Sequence, residues 1–381
     1  MFWLTVAGAV ALLILAIGYL VWYMGWELAE TSGMAFYGRP LTARRALKAQ
    51  IRRRGWPARW IVRAIAAVSP APKALPSFDY RGVAGPPRVS SAEVFARAAA
   101  YRPRAEDVFV VTQMRCGTTW MQQMVYEIAM DGHGDLSDDG HGHLYAVSPW
   151  IDAVNSVSLE RAPLVGEPPT RIVKSHLPVS IAPYAPEAKF IYVTRHPVGC
   201  FASIVDYYAT LLGPVTPPLG TLLDWYCSDK MYWSAWPEHV AGWWEWAEAR
   251  PNVLFVHFEH MKADLRGTVE RVAHFLERPL TPEALARVVE KCTFDYMRSH
   301  EEVFEMAPPT MFSVTGGHFL AGGKAARHDD VTPAARQRIL EFCRASLAGR
   351  SYPAARFYPD LADTAEPSRA PQVSAAPQRA G

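Results

Sequence analysis

Cysteine is scarce in this 381-residue chain, and the five cysteines are widely spaced. They are Cys116, Cys200, Cys227, Cys292 and Cys343. No two of them lie close enough along the chain to form a pair of zinc ligands or a redox-active dithiol motif. The sequence therefore excludes a disulfide scaffold, and we expect reduced thiols in a reducing compartment.

The sequence also has no carboxylate or histidine cluster with the spacing of a metal site, so we expect no metal cofactor. Three histidines, His133, His141 and His143, do lie near one another, in a stretch rich in Gly and Asp. That composition is typical of a solvated loop, and we interpret these side chains as loop residues.

Acidic residues are absent from residues 31–78, where ten Lys and Arg residues occur. The rest of the chain has 29 basic and 37 acidic residues, although the whole protein carries a formal charge of only +2. A basic segment on an otherwise acidic protein indicates one local anionic partner.

Charge of either sign is absent from residues 2–24, which are almost entirely apolar. At about 1.5 Å per residue, such a helix reaches roughly 34 Å, enough to cross a bilayer. No basic segment precedes the run and no clear cleavage site follows it, so we predict a transmembrane anchor rather than a secretory signal. Trp22, Tyr23 and Trp26 have the position of interfacial aromatics. The arginines from Arg39 to Arg63 predict a single-pass protein with the rest of the chain in the cytoplasm.

The basic segment 25–78 has two alternative interpretations, a topology signal alone or a surface that also binds anionic lipid head groups. Apolar residues such as Leu47, Ile51, Trp56 and Trp60 alternate with the arginines, as expected of a segment lying on a membrane. Nucleic-acid binding is disfavoured because the arginines directly follow a membrane span.

The remaining chain is half hydrophobic and long enough to bury a large core. Residues 70–87 are rich in Pro, Ala and Gly and suggest a linker, and residues 363–381 have the composition of a disordered tail. Between them, short apolar runs pass directly into helical patterns. The predicted strands are 108–112, 171–174, 189–194 and 253–258. This alternation predicts an α/β fold with a parallel sheet between helices, with functional residues just after the strands.

The turn after the first of these strands is the clearest candidate for an anion site. Residues 113–120 read Gln-Met-Arg-Cys-Gly-Thr-Thr-Trp and lead into a helix. A strand, a tight turn and a helix N-terminus aim several backbone N–H groups at one point, where they bind anions. The Gly-Lys-Ser/Thr of P-loop nucleotide enzymes is absent, because Thr118 directly follows Gly117.

Residues 115–120 resemble the 5′-phosphosulfate loop of sulfotransferases, usually Lys-Ser-Gly-Thr-Thr-Trp. The resemblance extends to Lys-Ser-His-Leu-Pro at 174–178, to the 3′-phosphate segment from Tyr192 to Ser203, and to residues 239–262 and 293–297, so it covers roughly residues 105–300. It implies a P-loop-like three-layer fold over residues 79–362 and the sulfuryl donor 3′-phosphoadenosine 5′-phosphosulfate (PAPS).

The resemblance also implies roles for individual residues. His176 is expected to be the general base, Lys174 to stabilise the sulfuryl oxygens, and Arg115 to stabilise the leaving phosphate, although relatives commonly have Lys at the position of Arg115. Arg195 and Ser203 correspond to the pair that binds the 3′-phosphate. The other donor-binding residues are expected to be Cys116, Gly117, Thr118, Thr119, Trp120, Thr293, Phe294 and Met297.

The match has departures, and alternatives stay open. Phe258 replaces a Tyr of many relatives, residues 319–327 lack the family's C-terminal donor segment, and the dimerisation motif is not recognisable, so the oligomeric state is not predicted.

Trp120 could pack on adenine or be an ordinary core residue. Aromatic residues from Tyr207 to Trp236 suggest a lipophilic or membrane-associated hydroxyl acceptor. The competing functions are a nucleotide-dependent phosphotransferase and an inactive membrane-anchored scaffold.

Overall fold

A four-stranded parallel sheet forms the centre of the protein. The computed structural model describes residues 2–154, 156–305, 309–312 and 331–362. The strands are β1 (Phe78–Tyr80), β2 (Val83–Gly85), β3 (Asp107–Thr112), β4 (Arg171–Ser175), β5 (Lys189–Thr194) and β6 (Val253–His257). The central sheet has the order β4-β3-β5-β6, and all of its neighbouring strands are parallel. The predicted α/β fold is confirmed, and the four predicted strands differ from the observed ones by one residue at most at either end.

Helices surround the sheet and extend from it at the N-terminus. They are α1 (Phe2–Thr31), α2 (Met34–Tyr37), α3 (Leu41–Val68), α4 (Ala92–Ala99), α5 (Thr118–Ala129), α6 (Leu144–Val147), α7 (Pro197–Leu212), α8 (Leu219–Tyr226), α9 (Trp236–Ala249), α10 (Phe258–Ala263), α11 (Leu265–Phe275), α12 (Pro282–Lys291), α13 (Phe294–Ser299), α14 (Pro333–Leu347) and α15 (Ala354–Phe357).

The sheet is buried on both faces because its strands are apolar throughout. Successive side chains of a strand point to opposite faces. In β3, Val108 and Val110 belong to one core with α5, α11 and α12. Phe109 and Val111 belong to a second core with α7, α9 and α14. These helix, sheet and helix layers are the predicted three-layer arrangement.

The carboxyl ends of the central strands meet at one edge, which is where ligands of such sheets bind. Helices begin within six residues of β3 and β5 and directly after β6. Pro197 occupies the first position of α7, where its missing N–H costs no hydrogen bond. His176 follows the last residue of β4. The fold therefore gathers the predicted site residues at this edge.

Helix α1 is longer than the predicted anchor and ends by packing against α3. Its 30 residues are long and apolar enough to span a membrane, and the most apolar part is not buried by the rest of the chain. One other stretch, 197–215, passes the same test of length and composition, but it contains the core helix α7. Tyr23 is fully buried near the α3 residues Gly55 and Ala58.

The basic segment is mostly one helix, α3, with two different faces. Leu47, Ile51 and Ala58 are buried, whereas Trp56 and Trp60 are exposed. Some of its cations pair with acidic residues of the main domain, at 2.7 Å from Arg45 to Glu302 and 2.6 Å from Lys48 to Glu305. Part of the positive charge expected to meet a membrane is thus used to hold α3 on the protein.

Part of the predicted linker is ordered secondary structure. Strands β1 and β2 form an antiparallel hairpin inside residues 70–87. Both residues of its turn, Arg81 and Gly82, have positive φ values of 53° and 81°, which suits the right-handed twist of the strands. Tertiary packing explains the difference from the prediction, because Trp233 donates its backbone N–H to Ala84 of β2 at 2.8 Å.

Candidate active site

A cavity of about 1260 Å³ opens at the carboxyl edge of the sheet. It is larger than the roughly 300 to 1,000 Å³ of an ordinary small-molecule site. Its walls include the turn after β3, the residue after β4, parts of α7 and α10, and the end of α1. The cavity therefore has space for two reactants in one site.

The turn after β3 has the geometry predicted for an anion cradle. Gly117 precedes α5 with φ of 103°, and an added Cβ would lie 2.8 Å from a ring carbon of Phe258. Both the conformation and the space therefore require glycine. The first N–H groups of a helix have no partner within it, and no side chain caps α5 at Gly117. These groups and the helix dipole favour an anion beside Thr118 and Thr119, which line the cavity.

Three further polar residues from the predicted set lie together beside this cradle. Arg115 donates from Nε to the hydroxyl of Ser203 at 3.2 Å, and Arg195 donates to the carbonyl of Arg115 at 3.4 Å. The Arg195 guanidinium also lies 4.7 Å from the centre of the Phe258 ring. Its Nε is buried and has no hydrogen-bond partner among the described residues. A buried cationic N–H without a partner would gain its missing hydrogen bond by donating to an anionic group of a ligand. These residues therefore fit the phosphates of a nucleotide.

Apolar side chains line the cavity beyond these cations. Trp120 contacts Phe258 edge to face, with ring centres 5.5 Å apart, and its Nε1 donates to the carbonyl of Cys292 at 2.7 Å. Phe294 and Met297 lie on the same wall. Thr293, predicted to bind the donor, instead caps α13 by accepting from the backbone of Tyr296 and is not among the lining residues. Flat aromatic and sulfur surfaces of this kind suit a nucleobase.

His176 is held in one tautomer by the backbone. Its Nδ1 lies 2.7 Å from the carbonyl oxygen of Thr112. Because a carbonyl only accepts, Nδ1 carries the proton, and Nε2 keeps its lone pair. His176 lines the cavity between the rings of Trp150 and Trp233, at centre distances of 5.2 and 4.9 Å. The residue therefore presents a proton acceptor in an apolar enclosure.

The surroundings also keep this imidazole neutral. Burial lowers the pKa of His176 well below its ordinary value of 6.5, and the positive charges of Lys174 and Arg115 act in the same direction. The backbone N–H of His176 donates to the buried carboxylate of Asp152 at 3.1 Å, which fixes the backbone at this point. A base with a lowered pKa stays unprotonated at neutral pH.

Lys174 is close to His176, but its ammonium group lies behind Trp150 rather than at the cavity surface, where it was expected to contact the sulfuryl oxygens. Its side chain is fully buried, its ammonium group lies 3.4 Å from the centre of the Trp150 ring, and it donates to the hydroxyl of Tyr145 at 3.1 Å. Burial lowers the pKa of Lys174. Trp150, rather than Lys174, lines the cavity here, so a direct contact to a reactant stays a prediction.

Cys116 was expected to contribute to the cradle through its backbone N–H, and the position of its thiol agrees with that expectation. The thiol of Cys116 points into the core, 3.7 Å from that of Cys200, so only the backbone of Cys116 belongs to the turn. The surroundings of His143, which was not part of the predicted site, differ from the expectation. His143 was expected in a solvated loop, but it is fully buried. Its Nδ1 accepts from the backbone of Tyr145 at 3.0 Å and its ring packs on Tyr37, while its buried Nε2 has no hydrogen-bond partner among the described residues. Its pKa is lowered by that burial.

Some residues of the site were missed by sequence reasoning. Gln113 donates from its amide to the backbone carbonyl of Tyr232 at 3.0 Å and so ties the cradle to the wall beside His176. Trp233 belongs to the predicted aromatic set, but it reaches that wall through a backbone with φ of 59°, a conformation that no sequence pattern indicates. Lys262, on α10, lines the donor side of the cavity, and its place one turn after Phe258 could have suggested this.

The predicted aromatic cluster divides between cavity and core. Tyr207, Tyr208 and Tyr232 line the cavity, whereas Trp225 and Trp236 are core residues that do not. The residues predicted near the C-terminus, 319–327, lie outside the described part of the chain. No group of three or more metal-binding side chains occurs within the described ranges.

Comparison with known proteins shows which family the chain belongs to. The family model described as a sulfotransferase domain matches residues 105–351. The chain belongs to the sulfotransferase family. Its activity is accordingly PAPS-dependent sulfuryl transfer.

Curated relatives and solved structures agree with this assignment. The sulfotransferase is 31% identical to Sulfotransferase 2B1 of Mus musculus over 254 residues, covering 65% of this chain and 72% of the relative. It is 26% identical to Sulfotransferase 1C2 of Oryctolagus cuniculus over 260 residues, covering 66% and 86%.

The fold is that of mouse sulfotransferase SULT7A1 complexed with PAP, with a TM-score of 0.56, 19% identity, and coverage of 72% of this chain and 94% of that one. Retinol dehydratase in complex with androsterone and the inactive cofactor PAP also has a TM-score of 0.56, with 21% identity and coverage of 74% and 93%. The sulfotransferase fold thus accounts for the three-layer domain, while α1 and α3 lie N-terminal to the matched residues.

Proposed function

We propose that this sulfotransferase transfers the sulfuryl group of PAPS to the hydroxyl of a lipophilic, membrane-associated acceptor, with His176 as general base. The observation that carries the proposal is the hydrogen bond from His176 Nδ1 to the carbonyl of Thr112. It leaves Nε2 as a proton acceptor in the same cavity as the anion cradle.

The donor is assigned to the side of the cavity that contains the cradle. The N–H groups at the start of α5 and the side chains of Thr118 and Thr119 would hold the 5′ end. Arg195 and Ser203 would bind the 3′-phosphate, which distinguishes this donor from ATP, and Trp120, Phe258, Phe294 and Met297 would enclose the adenine. When bound, PAPS supplies the sulfuryl group and a phosphate leaving group.

The chain's own groups then have separate tasks. His176 Nε2 accepts the proton of the acceptor hydroxyl. Arg115 and the N–H groups at the α5 N-terminus stabilise negative charge at the cradle, where preorganised donors contribute most. Lys174 sits behind Trp150, deeper than the residues that line the cavity. No metal is part of this scheme.

The acceptor is assigned to the aromatic side of the cavity. Trp150, Trp233 and Tyr207 are close to His176 or Arg115, and such rings bind flat or apolar molecules. Retinol dehydratase, which shares the fold, has been solved in complex with retinol and in complex with androsterone, both of them lipophilic. A membrane-spanning α1, with the main domain in the cytoplasm, would keep the site next to such acceptors.

The test is transfer of labelled sulfate from PAPS to a panel of hydroxyl acceptors, in the presence of a metal chelator. His176→Ala is expected to lower turnover by about 10² or more, because a positioned base contributes roughly 10² to 10⁴. Binding of PAP should persist in this variant. His274→Ala, a change of an exposed histidine on α11, is the matched control. Near-normal turnover of His176→Ala, or dependence on a metal ion, contradicts the proposal.

A further inference from the structure

The cavity does not end at the aromatic residues beside His176 but continues to the membrane helix. Met24, Gly25 and Leu28 of α1 form part of its wall. Leu28 and Met24 are 67% and 48% exposed, so they lie at an open mouth rather than in the core. The N-terminal helix is therefore part of the reaction cavity as well as a candidate anchor.

The other side of this mouth is also apolar. Leu211, Leu212 and Val215 come from the end of α7 and the turn after it, and Pro72 and Leu75 come from the segment after α3. Glu27, Thr31 and Ser32 also line this end of the cavity, but the carboxylate of Glu27 already accepts from the hydroxyl of Tyr23 and from the backbone of Met311. The aliphatic and proline side chains offer little to a sugar or an ionic acceptor. They suit a hydrocarbon chain, which gains free energy by leaving water.

The mouth lies at the level where the uncharged run ends. No charged residue occurs before Glu27, so Met24 and Gly25 lie at the end of the uncharged run, and Leu28 lies about 6 Å beyond Met24 at 1.5 Å per residue. Trp22 and Trp26, the expected interfacial aromatics, lie in the same two turns. If α1 spans a bilayer, the mouth therefore opens at the boundary between head groups and acyl chains.

Gly25 has a specific place in this mouth. An added Cβ at Gly25 would meet no atom within 4 Å, so the backbone borders open space. Glycine within a helix lowers the stability of the helix by about 0.5 to 1 kcal/mol relative to alanine. At this position the absence of a side chain leaves the helix surface open toward the cavity. Gly18, two turns earlier on the same helix, also has nothing within 4 Å of an added Cβ, but it does not line the cavity.

We propose that α1 forms one wall of the acceptor site and that Gly25 is a specificity-determining residue. The acceptor is an amphiphile whose hydroxyl reaches His176 while its hydrocarbon tail leaves the cavity across Gly25 and Leu28 toward the bilayer. This inference rests on the proposed function, since it concerns the acceptor of the same reaction.

The experiment compares two phenols with the same reacting hydroxyl, para-methylphenol and para-dodecylphenol, using full-length protein in lipid nanodiscs. The quantity measured is the ratio of kcat/KM for the long phenol to kcat/KM for the short one. Gly25→Phe should lower this ratio about tenfold or more, because even one methylene in an apolar pocket changes kcat/KM by roughly 10- to 200-fold. Gly18→Phe adds the same ring to the same helix and should leave the ratio unchanged.

A second variant keeps the inference testable if Gly25→Phe fails to fold. Leu28→Ser removes apolar surface from the mouth without adding bulk, and it should also lower the ratio. An unchanged ratio in both variants, or equal lowering by Gly18→Phe, overturns the inference. Failure of the wild type to sulfate either phenol while it still binds PAP would instead contradict the proposed function, so the two failures are distinguishable.

Discussion

At the scale of single residues, the site depends on which atoms have partners. His176 is fixed by a backbone carbonyl on one nitrogen, so the other nitrogen is left for chemistry. Arg195 shows the opposite case, since its buried Nε has no partner among the described residues. In the proposed function, the first arrangement prepares a base, and the second prepares a cation for an anionic ligand.

Arg195→Ala tests the second arrangement. If Arg195 binds the 3′-phosphate, the variant should bind PAP about 10- to 100-fold more weakly, because a charge-assisted hydrogen bond contributes roughly 1.5 to 3 kcal/mol. Binding of AMP, which has only the 5′-phosphate, should change much less. Titration calorimetry with both ligands measures the difference. Equal losses for PAP and AMP would place Arg195 away from the 3′-phosphate.

At the scale of elements, the pair α1 and α3 is held together by close packing at a glycine. A Cβ on Gly55 would lie 2.7 Å from the Tyr23 hydroxyl and 3.0 Å from Cβ of Met311. Tyr23 also donates to Glu27 at 2.5 Å, so its hydroxyl is held in place. Since α1 lines the mouth of the cavity, this contact would position part of the proposed acceptor wall.

Gly55→Ala should therefore separate the two helices and destabilise the protein by about 1 to 3 kcal/mol, the usual cost of overpacking. The melting temperature of the detergent-solubilised protein measures this loss. Gly18→Ala is the control, because its new methyl group meets nothing within 4 Å. Adding Tyr23→Phe to Gly55→Ala should recover part of the stability, since it removes the nearest atom. A Gly55→Ala protein as stable as Gly18→Ala would show that the contact is not a tight one.

At the scale of the whole molecule, the N-terminal helices and the active site form one unit rather than two domains on a linker. Helix α3 buries Leu47 and Ile51 and pairs Lys48 with Glu305 at 2.6 Å. The cavity reaches from the donor cradle to α1. An acceptor confined to the same membrane should accordingly meet the site at a higher effective concentration.

Proteoliposomes test this prediction with the intact chain. A lipid-soluble, slowly exchanging hydroxyl acceptor is placed either in the same vesicles as the protein or in separate vesicles at the same total concentration. Sulfation should be several-fold faster in shared vesicles, while para-methylphenol should react equally in both arrangements. A rate that follows only the total concentration of the acceptor would contradict membrane delivery.

The sequence alone determined the local features of this protein. Apolar runs predicted all four central strands because strands buried on both faces need no polar positions. The turn at 113–120 and the motifs around His176 and Arg195 were recognisable because backbone cradles and charged ligand contacts restrict residue type at fixed spacing. The uncharged run at 2–24 likewise marks a segment able to span a membrane.

Only the tertiary structure decided which residues meet from distant parts of the chain. The contact of α3 with the main domain, the hairpin at 78–85, the burial of His143 and the position of Trp150 in front of Lys174 each depend on partners far away in sequence. The same is true of Gly25, which is an ordinary helix glycine until the fold brings α7 and the segment after α3 across from it. Hydrophobic burial is non-directional, so a sequence shows which side chains are to be buried but not which of them pack against each other.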